Sequence, residues 1–412
     1  MYIVVRACSD FRREDYCFFW EDIVEHLKEE IKQFAEDIGI DKIGFASADP
    51  FLTLKDRLQT QQENEYESGF EKGSIEERTE PALLLGEAKT IISIAIAYPS
   101  KLKESPPSKK GARRGVFCRA SWGEDYHDVL RRKLAALETF LAEKIPGVRT
   151  RSMVDTGELA DRAVAERAGI GWSAKNCAII TPEFGSYVYL GEMITSISLE
   201  PDVPLEEQCG TCTKCIDACP TGALVQGGQL DAGSCIAFLT QTKTSVPERF
   251  RKKIGNRVYG CDTCQTVCPE NKGIDEHRHE ELEPDPEKVK PLLEPLLFLS
   301  NREFKRLYGT MAGSWRGKKP IQRNAVMALG TLKEQSAVPS LIKVLHDDPR
   351  PVLRGAAAWS LSMLEYTEAS GAALPRALTE ETDPETSEEI TAACERLNIR
   401  LEENNHDTPL RP

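Results

Sequence analysis

The sequence predicts three structural parts in chain order: an α/β unit, a cysteine-rich module and an all-α repeat domain. Strand-like and helix-like segments alternate over the first two hundred residues, which indicates a mixed α/β unit. Eight of the thirteen cysteines fall between Cys209 and Cys268. Near the C-terminus a Pro-x-x-Arg-x-Ala pattern occurs twice, 31 residues apart, and each copy begins an amphipathic helix, as in stacked helical repeats.

The composition limits the possible classes of protein. The formal net charge is −13 and 40% of the residues are hydrophobic, as in ordinary globular proteins. The longest apolar stretches, such as Thr90–Tyr98, are too short to cross a bilayer, and Met1–Trp20 lacks the apolar core of a signal peptide. We therefore expect a cytoplasmic protein without membrane contact, whose clustered cysteines bind metal rather than form disulfides.

The charge is distributed unevenly along the chain. Residues 101–119 contain seven Lys/Arg and one acid, and residues 301–365 contain eleven Lys/Arg and five acids, whereas residues 366–412 contain four Arg and eleven acids. A basic patch can bind phosphates even on an acidic protein. A solvated face is the commoner explanation for a single charged run, and it stays open for both basic segments.

These patterns predict the domain boundaries. We expect an N-terminal extension at 1–20, either a misplaced start or a disordered lead, followed by the α/β unit at 21–205, the cysteine module at 206–275 and the helical repeat domain at 290–400. Cys8 and Cys17 in the extension have no assigned role. The segment Asp275–Pro291 is rich in proline and glutamate and is typical of a linker.

Within the α/β unit, hydrophobic periodicity predicts individual elements. It indicates helices at 22–39, Asp125–Lys144 and Leu159–Ala168, and strands at Lys42–Phe45, Thr90–Tyr98 and Ser152–Val154. A hairpin is predicted from Cys177–Thr181 and Tyr187–Ile194, with its turn at Pro182–Ser186. The sequence contains neither a Walker loop nor a GxGxxG fingerprint, so no nucleotide-phosphate site is predicted.

Cysteine spacing predicts two 4Fe–4S clusters. The run that begins at Cys209 has the spacing Cys-x2-Cys-x2-Cys-x3-Cys-Pro, in which the fourth cysteine usually binds the other cluster. A second run, which ends at Cys268, lacks one ligand, and Cys235 can supply it. We assign one cluster to Cys209, Cys212, Cys215 and Cys268, and the other to Cys219, Cys235, Cys261 and Cys264. A pair of zinc sites is the alternative, for which this spacing is poor.

The C-terminal repeat resembles HEAT repeats, although its period is short. Pro320 and Arg323 recur as Pro351 and Arg354, and Val338–Leu345 forms the helix between the two copies. Just before the first copy, an aromatic side chain and several cations precede a helix start, a combination that can stack on a base and bind phosphates. The predicted contacts with nucleic acid are Arg316, Lys318, Lys319 and Arg323.

Longer motifs resemble one known family, the epoxyqueuosine reductases, from about residue 22 to about residue 365. The motifs are Arg119-Ala-Ser-Trp-Gly-x-Asp125-Tyr-His127, Val154-Asp-Thr-Gly-Glu158, Glu166-Arg-Ala-Gly-Ile-Gly-Trp172, Lys175-Asn176, Cys219-Pro-Thr-Gly-Ala223 and Cys261-Asp-x-Cys-Gln-x-Val-Cys-Pro-x-Asn271. The resemblance implies a cobalamin-binding α/β domain, a two-cluster ferredoxin-like module and a HEAT-like domain that binds tRNA. It also implies the family's reaction, removal of the epoxide oxygen from epoxyqueuosine at the tRNA wobble position.

The resemblance further implies the site residues. Asp155 is the implied proton donor, and near neutral pH this role requires a raised pKa. A capping box formed with Glu158 is the alternative for Asp155. The implied cobalamin contacts are Arg78, Cys118, Asp125, His127, Asp155, Lys175, Asn176, Gln241, Lys243 and Asp262. We expect His127 to be a polar pocket residue rather than an axial ligand. Without the resemblance, Cys118 would be interpreted as a small buried core residue and Arg78 as a surface charge.

Two other functions compete with the tRNA-modifying reductase. A reductive dehalogenase-like enzyme would use the same cofactors on a small molecule, but it would have no use for the basic residues Arg316–Arg323. A non-catalytic electron carrier would leave the α/β unit and its polar motifs without a purpose. The expected partners are tRNA and an unidentified electron donor, and a monomer is expected.

Overall fold

The computed structural model describes residues 26–401. The predicted extension 1–20, with Cys8 and Cys17, lies outside the described residues. The main sheet has four antiparallel strands in the order β1-β2-β7-β4, and β2 pairs with β7 over eight residues. The strands are β1 (Lys42–Ser47), β2 (Thr90–Ala97), β3 (Val116–Phe117), β4 (Thr150–Met153), β5 (Trp172–Ser173), β6 (Ile179–Ile180), β7 (Val188–Thr195), β8 (Leu224–Gln226), β9 (Gln229–Leu230) and β10 (Arg257–Tyr259).

The helices are short in the middle of the chain and longer toward both ends. They are α1 (26–37), α2 (Leu52–Glu63), α3 (Ile75–Thr79), α4 (Pro81–Leu84), α5 (Tyr126–Lys144), α6 (Asp161–Arg167), α7 (Lys214–Asp217), α8 (Ile236–Leu239), α9 (Glu248–Ile254), α10 (Thr263–Thr266), α11 (Pro286–Val289), α12 (Leu293–Leu296), α13 (Asn301–Tyr308), α14 (Lys318–Thr331), α15 (Val338–Asp347), α16 (Pro351–Ser362), α17 (Glu368–Glu380) and α18 (Pro384–Arg396). Across the described part of the chain, every helix is too short or too polar to traverse a bilayer.

Alternating side chains make the main sheet apolar on both faces. Ile92, Ile94 and Met193 belong to the core that includes residues of α1 and α5. Ile91 and Ile194 point the other way, into the core that includes residues of α6. Because successive side chains of a strand alternate between faces, burial of all of β2 and of all but Leu190 of β7 means that both faces of these central strands are covered.

The predicted hairpin is wrong, although both of its strands exist. Ile179 and Ile180 pair with Ser173 and Trp172 in a separate small sheet, whereas β7 pairs with β2 and β4. The reason is the burial of β7, because the backbone N–H and C=O groups of a buried strand need hydrogen-bond partners along both edges. Strands β2 and β4 supply these partners, whereas the two-residue strand β6 could pair with only a short part of one edge.

The predicted linker is also wrong, because the segment after the cysteine module is packed against the rest of the molecule. Leu282 and Val289 are fully buried, and both Arg278 and His279 bond to the carboxylate of Asp41. This segment, although rich in proline and glutamate, is therefore an ordered connection that packs on the sheet and leads into the helical domain.

The helical domain extends the predicted repeat by one more helix pair. Helices α14 and α16 pack closely, since a Cβ on Gly330 would lie 2.7 Å from the Cα of Ser360. The acidic segment after Tyr366 forms α17 and α18, and α18 packs on α16. This domain also shares one apolar core with Phe117 of the α/β unit and with α8 and α9 of the cysteine module.

Candidate functional site

The eight predicted cluster cysteines lie in two adjacent groups, and all eight are half-buried free thiols. In the first group, electrostatic interactions link Cys268 to Cys209, Cys215 and Cys212. In the second group, they link Cys235 and Cys264 to Cys219 and Cys261. Cys264 also lies near Cys215, which makes the two groups neighbours. Within residues 26–401, no three His, Cys, Asp or Glu side chains converge as the ligands of a single metal ion would.

Lys175 supports the first cysteine run from outside. Its ammonium group donates to the backbone carbonyl oxygens of Gly210 and, at 3.1 Å, of Cys212. The charge of Lys175 therefore holds the loop that carries the cluster ligands, and its predicted contact with cobalamin stays a prediction. The neighbouring Asn176 is buried, and its side-chain oxygen accepts a bond from Ala178 N–H.

Asp155 lies at the centre of a tight turn between β4 and α6. Its φ is +50°, a left-handed value that costs energy for a residue other than glycine. The N–H of Thr156 donates across the turn to the carbonyl of Val154, and the N–H of Asp155 donates to Asp161 Oδ2 at 2.9 Å. Gly157 passes so close to Met153 that a Cβ would lie 2.6 Å from the Met153 side chain. The turn presents the Asp155 carboxylate outward, with 59% of the side chain exposed.

Two side chains from the start of α5 contact this carboxylate. Tyr126 donates its hydroxyl to Asp155 Oδ2 at 2.9 Å, and His127 Nε2 lies 3.2 Å from the same oxygen. The other ring nitrogen, His127 Nδ1, lies 2.6 Å from Oδ1 of Asp125, which also caps the helix by accepting from the His127 N–H. The imidazole is thus held between two carboxylates. Tyr126 stacks on the ring of His127 and on that of Tyr189.

The electrostatics of this group localise a proton on His127. Burial opposes the charged ring, but hydrogen bonds to Asp125 and Asp155 outweigh it and raise the pKa of His127 to about 9. The hydrogen bond from His127 is also the largest influence on Asp155, and it lowers the pKa of that carboxyl. Near neutral pH the pair is therefore an imidazolium beside a carboxylate.

Both earlier interpretations of Asp155 need correction. A raised pKa was predicted, whereas the hydrogen bonds from His127 and Tyr126 lower the pKa of this carboxyl, because a cation and a phenol stabilise its charged form. The capping-box alternative is wrong as well, since the N-cap of α6 is Ala160 and receives no side-chain bond. Glu158 instead pairs with Lys72 and Arg151.

A cavity of about 510 Å³ lies between the α/β unit and the cysteine module. It is lined by apolar groups such as Phe117 and Trp122, by Cys118, and by Asp262 in an ion pair with Arg119 at 3.0 Å. Burial raises the pKa of Asp262. The cluster ligand Cys261 also lines the wall. The cavity therefore gathers the predicted residues Cys118 and Asp262 beside the second cysteine group.

Gln241 links the cysteine module to the segment that precedes α14. Its side-chain oxygen accepts from Trp315 Nε1 at 2.8 Å and from the Tyr259 hydroxyl at 3.2 Å. Asp155, Asp125 and Cys118 all act electrostatically on Tyr259. Tyr259 therefore lies near both the Asp155 turn and the cavity residue Cys118.

Comparison with known proteins gives the chain a family. A family model described as epoxyqueuosine reductase QueG, DUF1730, matches residues 78–156, one for a 4Fe-4S double cluster binding domain matches residues 208–271, and one for HEAT repeats matches residues 317–395. A curated epoxyqueuosine reductase from Bacillus anthracis is 64% identical over 378 residues, 92% of this chain and 99% of the relative. One from Bacillus subtilis is 62% identical over 377 residues, 91% of this chain and 97% of the relative. The chain belongs to the epoxyqueuosine reductase family.

Solved structures of epoxyqueuosine reductases agree with this membership. One, with an epoxyqueuosine-modified tRNA-Tyr stem loop, has a TM-score of 0.89 and 62% identity over 91% of this chain and 100% of that chain. Another, from Bacillus subtilis, has its catalytic aspartate loop swung out of the active site, with a TM-score of 0.89 and 61% identity at the same coverage. The chain is therefore an oxidoreductase with a double 4Fe–4S cluster module, and the predicted fold class is confirmed.

The basic residues that the resemblance to epoxyqueuosine reductases assigned to tRNA separate into two kinds. Arg323 is 1% exposed, and its guanidinium donates to the carbonyls of Leu239, Thr242 and Thr244, so the prediction that it binds tRNA is wrong. Its equivalent one repeat later, Arg354, is likewise occupied, in a bidentate pair with Glu381.

The other three predicted tRNA contacts are half-buried near the surface. Lys318 donates to the carbonyl of Leu299, and Arg316 lies 5.0 Å from the ring of Phe70 and 4.8 Å from that of Trp315. Among the described residues, Lys319 has no ion-pair or hydrogen-bond partner.

Two predicted cobalamin contacts, Arg78 and Lys243, are not among the residues that line the cavity, and two residues near Asp155, Tyr126 and Glu192, were missed. Arg78 is half-buried, with Glu71 and Glu67 nearby, and Lys243 is exposed. Tyr126 lies inside a recognised motif, but nothing in the sequence indicated its bond to Asp155. Glu192 could have been found, because an acid in an otherwise apolar strand is unusual.

Proposed function

We propose that this chain reduces the epoxide of epoxyqueuosine at the wobble position of tRNA to give queuosine, with Asp155 as the proton donor. Family membership supports the reaction. The single observation that supports the residue is the outward carboxylate of Asp155, bonded to a protonated His127 and to Tyr126. The Bacillus subtilis relative has a catalytic loop named for an aspartate, and the resemblance of Val154-Asp-Thr-Gly-Glu158 to the family's motif supports Asp155 as its counterpart.

The reaction requires two electrons and two protons for each epoxide. Both C–O bonds break, a C=C bond forms and the oxygen leaves as water. Electrons from an external donor pass singly through the clusters held by the eight cysteines. Asp155 delivers a proton to the departing oxygen, and His127 returns a proton to Asp155 through their shared bond. Substrate that covers the exposed carboxylate raises its pKa and thereby favours the transfer.

Cobalamin fits the residues that surround the cavity. The lining combines apolar and aromatic groups with the Asp262–Arg119 ion pair, and Cys261 joins it directly to the second cluster. Such a mixed wall suits a large amphiphilic macrocycle. When bound, cobalamin supplies a strongly nucleophilic low-valent cobalt. Cys118 and Asp262 would hold it, and Gln241 would fix the Tyr259 side of the site.

The surface around Trp315 is the proposed tRNA contact. Trp315 and Phe70 are 52% and 39% exposed, and Arg316 lies over both rings. Aromatic faces and guanidinium planes stack on unpaired bases, and nearby ammonium groups bind phosphates. Lys319 is available for a phosphate, and Lys318 can exchange its single carbonyl bond for one. The solved complex of a relative with a tRNA stem loop supports tRNA as the ligand.

The cellular location follows from the substrate. Because the substrate is tRNA, we place the protein in the cytosol. A monomer and an external electron donor remain predictions.

The test uses the full chain with both clusters reconstituted anaerobically and loaded with cobalamin. We expect it to convert an epoxyqueuosine-containing anticodon stem loop to the queuosine form, detected by mass spectrometry as the loss of one oxygen atom. The same preparation is offered a halogenated phenol in parallel. Conversion of the phenol without reduction of the stem loop would transfer the assignment to the small-molecule dehalogenase class.

A further inference from the structure

Glu192 is a buried acid without a donor. It lies in the middle of β7 with 1% of its surface exposed, and within residues 26–401 no group donates a hydrogen bond to either of its oxygens. Its cross-strand neighbour on β2 is Ser93, whose buried hydroxyl also lacks a partner. A buried carboxylate without donors is costly, so such a group is normally protonated.

The group beside Glu192 is another acid, Asp161. The two carboxyls lie within hydrogen-bond reach, and Asp161 begins α6, which packs on the face of the sheet that carries Glu192. The charged groups that act on Glu192 are Asp161 and Asp155, both acidic, and Tyr126 lies beside both aspartates. Two carboxylates cannot donate to each other, whereas a carboxylic acid beside a carboxylate satisfies both.

The second oxygen of Asp161 connects this pair to the Asp155 turn. Asp161 Oδ2 accepts the N–H of Asp155 at 2.9 Å, and that N–H belongs to the residue with φ of +50°. A left-handed conformation persists when surrounding contacts over-determine it. An anionic acceptor makes a stronger bond to an N–H than a neutral one does. The charge of Asp161 therefore helps to hold the turn.

We propose that Glu192 and Asp161 share one proton, with Glu192 as the neutral acid, and that this pair is the anchor that positions Asp155. Glu192 is a positioning residue, because it keeps Asp161 anionic and in place without touching the substrate. Burial is the main cause that raises the pKa of Glu192, followed by the charge of Asp161. The inference rests on the proposed role of Asp155.

Three variants of the reconstituted, cobalamin-loaded full chain test the proposal. Glu192→Gln imitates the neutral acid, because the amide donates to Asp161 at every pH. Glu192→Leu removes the donor and leaves Asp161 alone, and we expect kcat to fall roughly a hundredfold, the loss typical of a reacting group misplaced by about 1 Å. We expect KM for the stem loop to stay unchanged, and Glu192→Gln to retain at least about tenfold more kcat than Glu192→Leu. In Asp161→Asn the new amide can donate to Glu192, which then ionises.

Difference infrared spectroscopy at neutral pH supplies a readout that a merely structural role would not change. The carbonyl stretch of a protonated carboxylic acid should be present in the wild type and weaker in both Glu192→Gln and Asp161→Asn. Glu183→Gln is the matched control, since Glu183 is an exposed glutamate paired with Lys42 and should leave spectrum and kcat unchanged.

Specific results would overturn the proposal. An unchanged carboxylic-acid band in Glu192→Gln and Asp161→Asn would show that no proton is shared, and the band can be measured even if Glu192→Leu fails to fold. Wild-type kcat in Glu192→Leu would show that the pair does not position Asp155. A failure of the proposed function looks different, because the wild-type protein itself would then leave the stem loop unreduced.

Discussion

His127 is the residue whose charge controls the proton supply at the site. Its ring bridges Asp125 and Asp155, and in the charged form Nδ1–H donates to Asp125 while Nε2–H donates to Asp155. The ordinary pKa of histidine, about 6.5, would leave the ring mostly neutral in the cytosol. The raised value of about 9 keeps it charged there, ready to reprotonate Asp155 after each turnover.

The pH dependence of the reaction follows from this shift. A pKa raised in the folded state contributes stability that is fully present below about pH 6.5 and is lost as pH rises through about 9. The lowered pKa of Asp155 acts at the opposite end, since its contribution is lost as pH falls through the folded value. We therefore expect kcat to fall as pH rises through about 9, measured by single-turnover assays across the alkaline range.

His127→Gln is the variant that isolates this effect. The amide nitrogen can still donate to Asp155 but has no acidic proton to transfer, so kcat should fall by about two to four orders of magnitude and the alkaline decline due to His127 should vanish. His26→Gln is the control, because His26 is an exposed histidine far along the chain from the site. An unchanged alkaline decline in His127→Gln would assign the titration to another group.

Individual site residues were predictable where a motif identified them and unpredictable where their environment decides the chemistry. Asp155, Asp125 and His127 were found from the sequence, and the structure brings them together. The pKa direction of Asp155 could not be predicted, because it depends on a bond from His127 that is 28 residues away in the chain. Arg323 was assigned to the surface because a sequence does not tell which face of α14 is buried.

At the scale of the element, α14 combines two kinds of basic residue on one helix. Arg323 points into the junction with the cysteine module and donates to buried backbone carbonyls, and the buried side chain of Asn324 does the same. Lys319, one turn earlier, is half-buried and unpaired within the described chain. One face of α14 therefore joins the helical domain to the cysteine module, and Lys319 lies on the helix as a positive charge that is not paired.

This division predicts opposite results for two alanine substitutions. Arg323→Ala leaves several buried carbonyls without a donor and should lower the free energy of unfolding by at least about 3 kcal/mol. Lys319→Ala should leave stability unchanged, weaken binding of the anticodon stem loop and reduce the salt dependence of log Kd by about one unit. Thermal unfolding and binding titrations at several salt concentrations measure both effects.

Arg302→Ala supplies the control for the same two measurements. Arg302 is an exposed arginine on the neighbouring helix α13 and lies away from Trp315 in sequence. Binding curves of Lys319→Ala that coincide with those of the wild type would remove Lys319 from the proposed tRNA contact. Such curves would also favour a small-molecule substrate over tRNA.

At the scale of the whole molecule, the modules are not separate bodies. One continuous apolar core contains Phe117 of the α/β unit, Phe250 of the cysteine module and Trp359 of the repeat domain. The sequence predicted the order and type of the modules because each has its own periodicity or spacing. It could not predict the shared core or the place of β7, because both depend on contacts between residues far apart in the chain.

Cluster content tests this arrangement. Cys235→Ser should lower iron and sulfide for the second cluster and leave the first, because Cys235 lies with Cys219 and Cys261. Iron analysis and electron paramagnetic resonance of the reduced protein measure the two clusters separately. Cys177→Ser is a suitable control, since Cys177 is a half-buried cysteine outside both groups. Equal iron in the two variants would contradict the ligand assignment.

The central claim is that Asp155 donates the proton that removes the epoxide oxygen. The most direct test is a single-turnover reduction of an epoxyqueuosine stem loop by wild type and Asp155→Asn, with cluster and cobalamin content measured on both samples. We predict full cofactor content in the variant and a rate about two to four orders of magnitude lower. A variant with the same cofactor content and a near-normal rate would contradict the claim.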